Sequence, residues 1–473
     1  MERLNIDCLI LIFNELRTDK KSLHSCLLVN KVWCHLVVPI LWGKYPWYVI
    51  DRKESEKLIN VIISQLSSSS RKFLSENNVS LSSTILSKPL TFNYVSLCKF
   101  PGAENVSNII NIVNNYDFTK RRDLLEQEIY KLFISQCKNI KELSWETSQP
   151  LSLFPGALTC FSQLHSLRIN MNIVSSNNLH EMAKICKDLN ELIVNKYSQD
   201  TPGLISLIDA QRNLKSISFA SYYIKKEREG TYEELSNVLA RKGCTINNLY
   251  SSNLVGVISH SFLSSFINLK ELTIYQYDDY KSEKIQEFQQ YLAISKFPGL
   301  QSLKIGGVSC FKELAMLIEK TEGNLSYVYI DMSNKDAEST GMVIKAIADN
   351  CPKIEYLSTY LGPKDLIYVK PLLLHCSKLS RLRLKNLYEN NIIGDELLDI
   401  LTSSSPLSLN NIKLSGGWKY SINSIERFFE SYRGRKLLEF GIKDNIHEDN
   451  FTIEHIKIIR KYINEGVIGH TNL

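Results

Sequence analysis

One phrase keeps returning along this chain, and it restricts the possible folds more than any other feature. CKNIKELSW (137–145) is followed by FSQLHSLRI (161–169), CKDLNELIV (186–194), QRNLKSISF (211–219), FINLKELTI (266–274), FPGLQSLKI (297–305), EGNLSYVYI (322–330), CPKIEYLST (351–359) and CSKLSRLRL (376–384). PLSLNNIKL (406–414) and the looser KLLEFGI (436–442) continue it. The shared core is L-x-x-L-x-L. Its first apolar residues are Ile140, Leu164, Leu189, Leu214, Leu269, Leu300, Leu325, Ile354, Leu379, Leu409 and Leu437, mostly about 25 residues apart. The one long step, 55 residues from Leu214 to Leu269, predicts a degenerate repeat near TINNLYSS (245–252).

Each L-x-L is a short alternating strand with its apolar side turned inward. Between strands, segments such as DLLEQEIYKLFISQ (123–136) and TGMVIKAIADN (340–350) carry helical periodicity. A strand followed by a helix, many times over, stacks into an α/β curved solenoid with parallel strands on the concave side and helices outside. The position before the repeated Leu alternates between Cys137, Cys186, Cys351, Cys376 and Phe161, Phe266, Phe297. That exchange marks an apolar, buried site and a structural role for its cysteines.

This spacing and core resemble the leucine-rich repeat in its cysteine-containing form, over roughly residues 120 to 445. The second Cys or Asn and the turn motif usual after the strand are mostly missing, which predicts irregular loops on that side. A second resemblance lies at the N-terminus, in LNIDCLILIFNELRTDKKSLHSCLLVNKVWCHLVVPILW (4–42). Three short apolar blocks here hold more aliphatic surface than so small a domain can bury by itself. Leu4, Ile12-Phe13, Leu16, Leu23, Val29, Trp33, Pro39 and Leu41-Trp42 stand in the order and spacing of the F-box. Asn5 occupies the place where that family usually has Pro, and its side chain is expected to cap the first helix instead.

The F-box resemblance implies docking on the small adaptor that links such proteins to a cullin ligase. The residues expected to carry it are Leu4, Leu9, Ile12, Phe13, Leu16, Leu28, Val29, Trp33, Leu36, Pro39, Leu41 and Trp42. The implied organisation is an all-helical F-box at 1–43, a connector and N-terminal cap at 44–118, the solenoid at 119–445, and a C-terminal helix or cap with a tail at 446–473. Within the connector, ESEKLINVIISQL (54–66) reads as helix, SSSS (67–70) as its break, and 79–103 as loop or extended chain.

Composition excludes several function classes. Hydrophobic residues are 44% and charged residues 22%, ordinary for a folded chain, and a net charge of +6 is too weak a bias to imply nucleic acid. Eleven cysteines without a C-x-x-C pair argue against a disulfide framework or a zinc module. CLILIF is too short for a secretory leader, and no apolar run is long enough to span a membrane. The sequons at Asn78 and Asn324 are read as chance matches, and cytoplasm or nucleus as the compartment. No phosphate-binding or nucleophile motif occurs. His180-Glu181 and His447-Glu448 begin zinc-protease-like pairs, but Lys184 and Phe451 stand where the second His belongs. Neither an enzymatic role nor a cofactor is expected.

The informative surface is the concave face, formed by the residues flanking and between the apolar strand positions. Early repeats place Glu142, Glu146 and Glu191 there; the middle is rich in tyrosine, and a basic ladder follows. Target contact is expected from Tyr275, Tyr327, Tyr329, Tyr356, Tyr360, Arg381, Arg383, Lys385 and Lys413. Tyr and Arg dominate binding hot spots, and Arg pairs with carboxylate or phosphate. The expected ligand is a protein segment that contacts the aromatics and continues into acidic or phosphorylated residues. The bland reading is a set of ordinary solvated strand positions. The leading functional reading is a substrate receptor of an SCF-type cullin-RING ubiquitin ligase, bound to an adaptor and through it a cullin. The alternative is a non-degradative interaction scaffold with weak or lost adaptor binding.

Overall fold

A computed structural model of the chain describes residues 5–44, 47, 52–79, 81, 90–114, 121–197, 201–221, 233–277, 282–331, 339–386, 392–443 and 452–471. Leu4 lies outside them. Two compact units result: Met1–Asn195 with Thr201–Asn213, and Lys196–Asp200 with Leu214–Leu473.

The first unit opens with three helices, α1 (Ile6–Glu15), α2 (Lys20–Leu27) and α3 (Lys31–Lys44). Asp19 starts α2, its carboxylate accepting the Lys21 and Ser22 amides at 3.1 Å each and the Ser22 hydroxyl at 2.6 Å. Asn30 does the same for α3 through the Trp33 amide at 2.9 Å. Asn5 stands at the start of α1 in extended conformation, but its side chain makes no cap hydrogen bond, contrary to expectation. Leu9, Phe13, Leu23, Val37 and Leu41 close a core, with Trp33 edge-on to Phe13 at 5.1 Å.

Five more helices follow: α4 (Arg52–Ile63), α5 (Ser68–Glu76), α6 (Tyr94–Leu97), α7 (Ala103–Val113) and α8 (Arg122–Gln136). The serine run does not end α4, which stops at Ile63; it starts α5 instead, because the Ser67 hydroxyl accepts the Ser70 amide at 3.0 Å. Trp42 packs on Tyr94 at 4.4 Å and Trp47 on Phe133 at 5.9 Å, so aromatic contacts tie the end of α3 to α6 and the segment after it to α8. The unit then enters the repeats with β1 (Glu142–Trp145), β2 (Ser166–Asn170) and β3 (Glu191–Asn195), parallel and in register.

The second unit continues the pattern with β4 (Ser216–Ala220), β5 (Asn248–Ser252), β6 (Glu271–Tyr275), β7 (Ser302–Gly306), β8 (Tyr327–Asp331), β9 (Tyr356–Leu361) and β10 (Arg381–Asn386). After β11 (Ile392–Ile393) come β12 (Asn411–Ser415), β13 (Trp418–Lys419), β14 (Leu437–Lys443) and β15 (Ile468–Thr471). The main strands pair in chain order from β4 to β10, then β12, β14 and β15; β11 and β13 form a small sheet of their own. Helices such as Phe311–Ile318, Thr340–Asn350 and Asp395–Ser404 alternate with the strands. This is the expected α/β solenoid of strand-then-helix units, its parallel sheet open rather than closed into a barrel. The degenerate repeat is β5, which begins two residues after the buried Ile246. β15, a strand of the C-terminal segment, was not legible as a repeat.

Two devices fix the register. The carbonyl of the residue before one strand accepts two successive amides of the next repeat. Lys270 O, for example, takes Gln301 N–H at 2.8 Å and Ser302 N–H at 3.0 Å; Gln301 O then takes Ser326 and Tyr327 at 2.9 and 3.1 Å. Behind the sheet, the Cys186 thiol donates to the carbonyl of Phe161 at 3.1 Å, and Cys376 to that of Cys351 at 3.6 Å. At Cys186 and Cys376 the recurring cysteine thus bonds the same position one repeat earlier. Burial pushes the Cys137, Cys186, Cys351 and Cys376 thiols up to about 12, so they stay protonated donors.

Candidate functional site

In α1 and the residue that closes it, Leu9, Phe13 and Leu16 recur at i, i+4 and i+7 and turn toward the core of the three-helix domain. The residues expected to bind an adaptor therefore divide. Leu9, Phe13 and Leu41 are buried; Leu16, Trp33, Leu36 and Trp42 are partly buried against that same core. Ile12, Leu28, Val29 and Pro39 are exposed, Leu28 to 88%. Sequence reasoning missed Ile6, Ile10, Leu11 and Val32, which are also exposed, Leu11 to 67%. The signal was available: Leu11 lies two positions from both Leu9 and Phe13, off their helical stripe. A Leu or Ile side chain left in water forgoes roughly 1.5–3 kcal/mol of burial. Seven such exposed aliphatics lie on α1 (Ile6, Ile10, Leu11, Ile12), in the turn after α2 (Leu28, Val29) and on α3 (Val32).

On the sheet of the second unit, the L-x-L residues point to the helices and the residues between them to the open face. Register sets three rows across that face. One row runs Ser302, Tyr327, Tyr356, Arg381, Asn411, Glu439. The next runs Tyr250, Thr273, Lys304, Tyr329, Ser358, Arg383, Lys413. The third holds Tyr275, Gly306 and Asp331 on β6 to β8, and Tyr360 beside Lys385 on β9 and β10.

The rows bring most of the expected target residues together, though not as separate contact points. Tyr327 and Tyr356 stack with centroids 4.3 Å apart and planes 4° from parallel. Lys304 sits over the Tyr327 ring at 5.0 Å, while Arg381 and Arg383 both sit over Tyr356, at 5.9 and 5.6 Å. Tyr356 and Tyr360 are only 5% and 3% exposed. They are therefore a bed for cations, where the sequence suggested aromatic contacts for a ligand. Tyr360 donates to Asp331 at 2.8 Å and accepts from Lys385 at 3.3 Å; Tyr329 donates to the other Asp331 oxygen at 3.3 Å. Burial, then the Asp331 charge, pushes the Tyr329 phenol up to about 12.

The basic ladder is partly neutralised within the protein. Lys413 pairs with Glu439 at 2.6 Å, and that hydrogen bond holds the Glu439 carboxyl below its ordinary range. Arg381 and Lys385 remain exposed, and Arg383 half-exposed. Neither arginine forms an ion pair with a carboxylate among the described residues. Tyr275 lies over Gly306, where a Cβ would come 2.4 Å from the ring, and stacks on Tyr277 at 5.8 Å and 9°. Tyr277, which the sequence reading did not single out, is 70% exposed. Lys304, Asp331, Tyr277 and Glu439 were missed as partners because cross-strand neighbours depend on register, which the strand pattern alone does not give.

No known family profile matches the chain, and no curated protein matches it. Among solved structures, the Rad7 and Elc1 complex in yeast is similar at 12% identity and a TM-score of 0.37, covering 85% of this chain and 92% of that one. The leucine-rich repeat-containing protein LegL7 from Legionella pneumophila is similar at 12% identity and a TM-score of 0.30, covering 71% of this chain and 94% of that one.

Proposed function

We propose that this chain is the target-binding subunit of a cullin-RING ubiquitin ligase of the SCF type. Its N-terminal helices hold the adaptor and the open sheet face holds the target; ubiquitin transfer belongs to the partners. The observation that carries the reading is the exposed aliphatic set Ile6, Ile10, Leu11, Ile12, Leu28, Val29 and Val32, on a domain whose own core is already closed by Phe13. The F-box pattern of these helices names the adaptor class, and helix-face docking through such anchors is a common mode of recognition.

Because Phe13 and Trp33 hold the domain's core, the test substitutes exposed positions. The full chain is co-purified with an SCF adaptor and a cullin beside Leu11→Asp/Leu28→Asp/Val29→Asp. We expect wild-type capture and at least a thirtyfold loss in the variant, about 2 kcal/mol or more, with an unchanged circular dichroism spectrum. Failure of the wild-type chain to capture the adaptor would remove the ligase reading.

A further inference from the structure

We infer that the open face of β6 to β10 recognises a phosphorylated peptide, its phosphate held by Arg381 and Arg383 and an apolar side chain held about seven residues away at Tyr277. The inference deepens the proposed function, since it rests on the open face being the target surface. Three observations carry it.

First, the two guanidiniums converge. Both lie over one ring, Tyr356, itself pinned by Tyr327, which carries Lys304 on its neighbouring strand. Two cations converging on one spot suit a single dianion with three acceptor oxygens better than one carboxylate. Second, that charge is met only in part from within, by the longer-range field of Glu439 on Arg383. Glu439 is held by Lys413 and Asn411, and Asp331 by Tyr329 and Tyr360. Arg383 Nε is buried without an acceptor among the described groups. Third, the tyrosines at the centre have their faces covered by one another and by the cations. Tyr277, stacked on Tyr275, is the exposed aromatic at the other end of the patch. From β6 to β10 is four strand spacings, roughly 19 Å, and Tyr277 lies four positions past the row of Arg383, roughly 13 Å along the strands, so an extended chain crosses the diagonal of about 23 Å in about seven residues.

The full-length chain is applied to arrays of degenerate peptides with a central phosphoserine and eight residues on either side, the same peptides unphosphorylated, and a third set with glutamate in its place. We expect the phosphorylated set to bind at least tenfold better than both others, with apolar residues enriched six to eight positions from the phosphate. Arg381→Gln/Arg383→Gln should lose the phosphate preference. Lys312→Gln/Lys345→Gln, which removes equal charge from exposed helix positions, should keep it. Tyr277→Ala should flatten the apolar preference alone. Thermal melts of each variant establish folding. Equal binding to phosphorylated and glutamate peptides, no binding to any set, or a preference that survives the arginine substitutions would overturn the inference. Adaptor capture is read separately, so a failure here with capture intact overturns the ligand class and leaves the ligase reading standing.

Discussion

A thiol at Cys186 and an amide at Gln211 occupy the same position in successive repeats, and both satisfy the repeat before them. Gln211 donates to Cys186 O at 2.9 Å and to Leu207 O at 2.8 Å, and accepts the Leu189 amide at 2.9 Å. Gln211→Ala should therefore strand three buried backbone groups and cost about 3 kcal/mol in urea unfolding, with Gln211→Cys costing less than half of that. The other thiols give a second check. Cys98, Cys137, Cys160, Cys186, Cys310, Cys351 and Cys376 are buried, whereas Cys8 and Cys244 are exposed. Mass spectrometry after brief alkylation should find the exposed pair labelled in the native protein and the buried seven only after unfolding. His260 marks an acid limit. It is buried against Phe288 at 5.0 Å, and burial lowers its pKa from 6.5 to about 4. Below pH 6.5 the unfolded chain takes up a proton that the folded one refuses until about pH 4. Stability is thus intact above pH 6.5 and falls by roughly 3 kcal/mol across that window. A His260→Leu variant should lose less stability between pH 7 and pH 4.5 than the wild type does, measured by urea midpoints.

Among the elements, the strands were the most legible in the sequence, because each repeats an alternation the eye can align. Even the hidden β5 follows from spacing. The roles of outward residues were less legible. Parity places Tyr356 and Tyr360 on the open face, but their burial comes from Tyr327, Arg381, Arg383 and Lys385 on adjacent strands. In α1 to α3 the family pattern mixes core with surface: Phe13 and Ile12 are neighbours in it, yet one is sealed and the other wet. The turns after the strands impose their own conditions. Gly307 follows β7 at φ +76°, and a Cβ there would lie 1.6 Å from Gln276 O. Gly307→Ala should cost several kcal/mol, roughly 3 or more, through strain and a displaced turn, and the thermal melt will report it.

At the scale of the whole molecule, an array of nearest-neighbour units needs a finished end. After β14, the helix Ile453–Asn464 and β15 pack on the preceding unit: Tyr462 packs on Phe429 at 5.4 Å and donates to Glu430 at 2.9 Å, and β15 pairs with β14. Removing residues 452–473 should uncover Phe429 and the β14 edge. Hydrogen exchange should then show β12 and β14 losing protection while β1 to β3 keep theirs. The register carbonyls have a further consequence. Step lengths between repeats differ by several residues, yet from β4 to β10 the residue before the strand (Lys215, Asn247, Lys270, Gln301, Ser326, Glu355, Ser380) offers the same doubly accepting carbonyl, so surplus residues fall in the loops. The face behaves as a ruler with fixed graduations. Changes in its side chains alter the chemistry offered at each mark, while the distance between marks stays the same.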